Sequence, residues 1–316
     1  MTKHPIRFGI QTGQQNVEWP ALCDLWQKAD AWGYDTLWNF DHFFPIFVDP
    51  NGPCLESWTT LSALAQATKR ARIGTLVNGN TYRHPCVTAK MAATLDHVSG
   101  GRLNLGIGAG WFELEHKAFG IDFMTVPERL RALDEACRII KGMLTAERTT
   151  LHGKHYQVTD ALGLPKPLQK PYPPIMIGGT GEKVLLRIVA EHADLWNTAR
   201  HAGDMKHLIE VIDRHGERLG RDTSAIEKTV LLPLCYRASK EREAAVMGLI
   251  AQMENGTPEV ARKRIMIGQS PEECFDTIDR YVSAGVTHFI FMVFGEYNVD
   301  EIQRFAEEVM PAARKR

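Results

Sequence analysis

The sequence predicts an α/β protein closed into a (β/α)8 barrel of the TIM type, with insertions before strand five and after strand seven. Three observations predict it. Eight short apolar runs alternate with helical patterns along the chain. The runs are apolar almost throughout, as in parallel strands covered on both faces. Strict β–α alternation calls for a parallel sheet, and eight units favour closure over an open sheet.

The strands are expected at Arg7–Thr12, Thr36–Phe40, Arg72–Asn78, Arg102–Gly108, Pro174–Gly179, Asp194–Ala199, Lys228–Tyr236 and Thr287–Phe294. Helices are expected at Trp19–Trp32, Pro85–Val98, Val126–Leu144, Glu182–His192, Asp204–Leu219, Pro271–Ser283 and Val299–Ala313. Their apolar residues recur at helical spacing, Leu130, Leu133, Cys137, Ile140 and Leu144 for example. Pro85 and Pro271 stand where proline suits a first helical turn. Two stretches break the rhythm. Thr149–Tyr172 reads as an extended insertion and Ser239–Gly268 as extra helices, neither with the composition of a linker, so a single domain over 1–316 is expected.

Composition narrows the function. The chain has 316 residues, 44% of them apolar, with 37 Lys and Arg against 38 Asp and Glu. The formal net charge of -1 provides no global basic field for nucleic acid. Six scattered cysteines form no C-x-x-C pair and read as reduced thiols of a cytoplasmic protein. The N-terminus lacks the apolar run of a signal peptide, and no uninterrupted apolar stretch of about 18 residues exists. Neither H-E-x-x-H nor metal-spaced His and Cys occurs, so no metal is expected. G-x-S-x-G is absent as well, which disfavours a hydrolase elbow. Trp26, Trp32, Trp38, Trp58 and Trp196 read as core.

In such a barrel, chemistry sits on loops after strand C-termini. After strand two, Asp41-His42-Phe43 puts an acid beside an imidazole, suited to proton handling; a turn cap with a packed histidine competes. After strand three, Val77–Pro85 is dense in hydrogen-bonding groups, and its glycine lets backbone approach a flat ligand. After strand four, Gly106-Ile107-Gly108-Ala109-Gly110-Trp111 invites a dinucleotide reading, but Trp111 occupies the third glycine of G-x-G-x-x-G. A glycine-lined wall for a planar ring, or a tight strand exit, remains. After strand five, Gly178-Gly179-Thr180-Gly181-Glu182-Lys183 feeds a helical run, a candidate anion site; a plain N-cap by Thr180 is the alternative.

Taken in order, TLWNFDHFFP, RIGTLVNGNTYRHPCVTAKMAATLDHVSGGRLNLGIGAGWFELEHKAFGIDF, PERLRALDEACRIIKGMLT and KPYPPIMIGGTGEKVLLRIVAEHADLWN resemble the luciferase-like monooxygenase superfamily, more narrowly its F420-dependent oxidoreductase branch. The resemblance runs through residues 5–200 and continues in pattern only beyond. It implies a deazaflavin cofactor, coenzyme F420, with FMN as the alternative. It implies a non-prolyl cis peptide within Leu76, Val77, Asn78 and Gly79 behind the ring, and an insertion over the mouth. Gly108, Ala109, Gly110 and Trp111 would flank the ring, with Tyr82, Arg83 and His84 bordering it or holding the loop. Gly178, Gly179, Thr180, Gly181 and Lys183 would take the phosphate.

The resemblance also implies that His42 is the catalytic acid/base, oriented by Asp41, with Glu115 a second candidate. Relatives that oxidise sugar phosphates carry tryptophan and glutamate where this chain has Ile46 and Trp111. That departure, with Phe43, Phe44, Phe47 and Phe112, points to a small apolar substrate. The expected partners are that substrate and a second copy of the chain in a homodimer, with no nucleic acid or membrane. Three functions follow as readings: F420-dependent hydride transfer, FMN-dependent monooxygenation, and cofactor binding without catalysis.

Overall fold

The computed structural model describes residues 4–46, 49–254, 256–293 and 297–316. Eight parallel strands close on themselves: β1 (Arg7–Thr12), β2 (Thr36–Asn39), β3 (Arg72–Thr75), β4 (Leu103–Gly108), β5 (Ile175–Gly178), β6 (Leu195–Thr198), β7 (Glu227–Tyr236) and β8 (His288–Val293). Each pairs with its sequence neighbours, and β8 returns to β1 with Arg7 opposite His288 and Thr12 opposite Val293. Nearly every strand residue is buried, which explains the continuous apolar runs. Trp38, Leu76, Met176, Leu195 and Ile290 form one cluster inside the barrel, while a larger one packs strands against the outer helices. Trp26, Trp58 and Trp196 are buried too, and Trp32 is partly buried.

The third strand departs from expectation. Its run is apolar to Val77, but the ladder stops at Thr75, the Leu76–Val77 peptide is cis, and pairing resumes at Asn78–Gly79 against Ile107 and Gly108. Side chains hold this bulge. Asn78 donates to Gly106 O and accepts from Trp58 Nε1, both at 2.6 Å, and Gln11 donates to Leu76 O at 2.8 Å.

A helix over Ser57–Ala67 goes unseen in the Thr- and Ser-rich sequence. It forms because Glu56 accepts from the Trp58 and Thr59 amides and because Trp58, Leu61, Leu64 and Ala65 are buried. Pro85 and Pro271 do open their helices. Phe294, expected to end the last strand, lies outside the described residues.

The first insertion is an antiparallel hairpin, Arg148–His152 with Gln157–Leu162. It is tied to the helix Val126–Thr145 through Glu135, which accepts from the Lys154, His155 and Tyr156 amides, and to the loop after β3 through Tyr156 and Asn80. It therefore stands beside the mouth, and none of its residues lines the cavities described below. The second insertion supplies helices Lys240–Glu254 and Pro258–Arg262 and a short strand, Met266–Gly268, alongside the end of β7. Among the described residues no helix is long and apolar enough to cross a membrane.

Candidate active site

At the carboxyl ends of the strands lies a cavity of about 390 Å³. Asp41 and His42 line it after β2, Leu76, Val77, Asn78, Gly79 and Tyr82 around the bulge, Gly108, Ala109, Gly110 and Trp111 after β4, and Gly178 and Gly179 after β5. A smaller chamber of about 170 Å³ adjoins it along His42, Leu76 and Trp111. This chamber reaches across the barrel to Gln11 and Gly13 after β1, Leu231 of β7, and Met292 and Val293 of β8.

His42 stands where the two spaces meet. Phe40, Trp111 and Phe112 lie edge-on to its ring at centroid distances of 5.3, 5.5 and 5.7 Å. Its Nδ1 is 2.9 Å from Oε2 of Glu115. The other carboxylate oxygen accepts from the amides of Phe43 and Phe44 at 2.6 and 2.9 Å, and Tyr82 donates its hydroxyl to Oε2. Burial alone would raise Glu115, but the bonds from His42, Tyr82 and the Phe44 amide outweigh it and hold the carboxyl below its ordinary value. Burial and the Glu115 charge push the Tyr82 hydroxyl well up, so it stays a donor. An ionised Glu115 places the imidazole proton on Nδ1 and leaves Nε2 as the acceptor nitrogen of a ring that lines both cavities.

Local sequence explains how Glu115 arrives there. Gly110 takes φ +80°, and a Cβ on it would sit 2.6 Å from Thr81 Oγ1. The chain turns against the loop after β3 and at once starts the short helix Glu113–Phe119, which Gly120 ends in a left-handed cap. Glu115 in the first turn of that helix is carried onto the loop after β2. Gly79 is needed for a similar reason: a Cβ there would lie 2.6 Å from the Tyr82 ring.

Asp41 does not orient His42. Its Oδ2 accepts from Arg83 at 2.7 Å and from the Gly79 amide at 3.1 Å, and Arg83 also binds Glu56 at 2.8 Å. The orienting carboxylate is Glu115, because the arginine and the bulge already engage Asp41. Burial raises Asp41 despite Arg83, and its Oδ1 is buried with no donor among the described residues.

The remaining expected residues divide. Arg83 holds the loop and does not line the cavity. His84 caps the helix Pro85–Val98 through the Cys86 amide and lies edge-on to Tyr156, away from the cavity. Gly178 and Gly179 reach the cavity. Thr180 borders an adjoining basin of about 640 Å³, which Gly179 lines as well, with Arg200, His201 and Arg264, while Gly181 and Lys183 are exposed and line neither. Thr180 is not a cap: residues 182–184 form a turn, and the helix begins at Leu185 after Val184. Phe43 packs on Tyr82 and Phe119, and Phe44 on Phe119, so both brace the loop; Ile46 and Trp111 do line the chamber. Phe47 lies outside the described residues. Asp134, Glu191 and His192 bring three ligand-type atoms together, but Arg138 and Arg187 bridge the two carboxylates, so the charge a cation would meet is already compensated.

Sequence reading passed over Gln11, Gly13, Leu231 and Met292. The rule that loops and strand ends face the mouth applies equally to strand one and would have found Gln11 and Gly13, whereas Leu231 and Met292 lie within apolar strand runs and read as core.

These features define a TIM-type barrel whose working face is a two-chambered mouth with a carboxylate-braced histidine between the chambers. The chain belongs to the luciferase-like monooxygenase family, whose model matches residues 1–257. It is 29% identical to the F420-dependent glucose-6-phosphate dehydrogenase of Microbacterium testaceum, over 99% of this chain and 98% of that protein. It is 27% identical to the oxygenase component of the flavin-dependent trigonelline monooxygenase of Acinetobacter baylyi, over 98% and 93% of the two chains. In fold it superposes on an F420-dependent secondary alcohol dehydrogenase in complex with an F420-acetone adduct, with a TM-score of 0.86 at 22% identity over 98% and 99% of the chains.

Proposed function

We propose that this protein is an F420-dependent oxidoreductase that moves a hydride between the deazaflavin and a small, largely apolar organic substrate. The observation that carries the reading is the placement of His42, braced at Nδ1 by Glu115 and free at Nε2 on the border between two cavities. The larger cavity suits a planar cofactor. Glycines at 108, 110, 178 and 179 leave its walls low, and the orphaned, buried Oδ1 of Asp41 calls for an N–H or O–H donor from a ligand. Leu76–Gly79, Gly108–Trp111 and Gly178–Gly179 would hold the ring system. When bound, the deazaflavin supplies a ring carbon that exchanges a hydride with a substrate carbon and reacts poorly with O₂.

The protein's own part is the proton. For an alcohol, His42 Nε2 takes the hydroxyl proton as the C–H hydride leaves, giving the carbonyl; in reverse the imidazolium returns it. Glu115 stabilises the imidazolium and, with the Phe43 and Phe44 amides, keeps the ring aimed. The smaller chamber receives the substrate. Its lining of Phe40, Ile46, Leu76, Leu231, Met292 and Val293, with Gln11 and His42 the polar members, favours an apolar body carrying one oxygen or nitrogen.

Fluorescence titration with F420 and with FMN tests the cofactor. Micromolar binding of F420 with weak or absent FMN binding is expected. Tight FMN binding with oxygen-consuming turnover would replace this reading with monooxygenation. Parallel assays with secondary alcohols and glucose 6-phosphate test the substrate, and turnover of the sugar phosphate alone would overturn the apolar assignment.

A further inference from the structure

The far end of the substrate chamber is closed by a methionine with empty space behind it. Met292 of β8 lines the chamber of about 170 Å³ and also lines a cavity of about 180 Å³ beneath helix Lys240–Glu254. Among the described residues it is the one common to the two linings. The second cavity is bounded by Pro233 of β7, opposite Met292 in the strand register, by Leu234, and by Ala245, Val246 and Leu249 of the helix. Arg242 adds a stem, its guanidinium tied off by Glu301, so this wall too is apolar in effect. Met292 itself packs with the small cluster of Cys235, Ile250 and Ile267. An unbranched thioether with three rotatable bonds is thus the partition between two apolar spaces of similar size.

We propose that Met292 is a specificity-determining residue that sets the length of apolar tail the substrate chamber accepts. With the methionine in place the chamber takes short tails. Shortening the side chain joins the chamber to the space under the helix and admits longer ones. The inference rests on the reading of the smaller chamber as the substrate side.

The test uses the F420-saturated protein and a series of 2-alkanones from propanone to decan-2-one. Binding is measured by calorimetry on wild type, Met292→Ala and Met292→Phe, and oxidation of the matching 2-alkanols is followed in the same samples. Wild-type affinity should rise roughly three- to fourfold per methylene, as buried CH₂ groups do, and then fall beyond a cut-off length. Met292→Ala should move the cut-off to ketones several carbons longer, and Met292→Phe should move it to shorter ones. An identical cut-off in all three proteins, or no ketone binding at all, overturns the proposal. A shifted cut-off without any alcohol oxidation refutes the hydride-transfer reading and leaves the length gate standing. Turnover with an unshifted cut-off refutes the gate alone. If the alanine variant does not fold, Met292→Val makes the same comparison with a smaller truncation.

Discussion

At the mouth of the barrel Glu115 meets Nδ1 of His42 at 2.9 Å; at the floor Glu227 meets Nδ1 of His288 at 3.6 Å. The residue types are the same and all four side chains are largely buried. Their surroundings differ. Glu227 and His288 are the first residues of β7 and β8, and the neighbouring strand starts close over them. Arg7 of β1 reaches Glu227 at 3.4 Å, and Thr36 of β2 sits 2.8 Å from His288 Nε2. Both histidine nitrogens at the floor therefore face protein. At the mouth the second nitrogen has no partner among the described residues, and its ring lines both cavities. A paired histidine becomes a chemical tool only when one nitrogen is left for a substrate; otherwise the pair contributes to holding the barrel shut.

This contrast can be broken by mutation, and the largest effect belongs to the mouth. His42→Ala should lower F420-coupled kcat/KM by about 10²–10⁴-fold, the usual worth of a positioned acid/base, at a stability cost of about 1–3 kcal/mol because the buried Glu115 loses a donor. Steady-state kinetics beside calorimetry checks both halves, and a silent variant removes His42 from the chemistry. Glu227→Ala should act on stability alone. Leaving His288 and Arg7 without their carboxylate should cost roughly 3–5 kcal/mol in urea unfolding, with turnover per folded molecule unchanged.

Glu115→Gln sharpens the comparison, since it keeps the shape and removes the charge. Turnover should fall on the order of 10²-fold with KM little changed, because the ring loses the partner that fixes its tautomer and aim. A loss in KM alone would assign Glu115 to loop structure. Tyr82→Phe removes one donor from that carboxylate and should cost about 1.5 kcal/mol of stability, with a smaller change in rate.

The two glutamates should also share an acid signature. Burial by itself pushes both up, but the bonds from His42 and Tyr82 at the mouth, and the charges of His288 and Arg7 at the floor, win and hold both below the ordinary range. A depressed folded value stabilises the protein above the unfolded carboxyl value, about pH 4.3, and that stability is lost as pH falls through the folded value. Urea midpoints measured downward from pH 5 should fall less steeply in Glu227→Gln and Glu115→Gln than in wild type. An unchanged slope would mean that neither carboxylate differs between the folded and unfolded chains.

Much of the mouth was legible from spacing. Continuous apolar runs and loop chemistry at their ends brought His42, Val77–Gly79, Tyr82, Gly108–Trp111 and Gly178–Gly179 to one place, where the structure has them. Other parts were hidden for identifiable reasons. The break after Thr75 is invisible because Leu76 and Val77 continue the apolar run, and only Asn78, Gln11 and Trp58 together hold the bulge. The helix Glu113–Phe119 is too short to show a period. Leu231 and Met292 read as strand core, and nothing local marks them as cavity walls.

The sequence by itself determined the architecture and which strand ends converge, because hydrophobic burial is additive and periodic and leaves its pattern in neighbouring residues. Only the tertiary structure decided which carboxylate meets His42, that one oxygen of Asp41 is buried without a partner among the described residues, and that one methionine lines two cavities. Hydrogen bonds and cavity walls depend on distances of a few ångströms between residues far apart in the chain, and no local pattern encodes them.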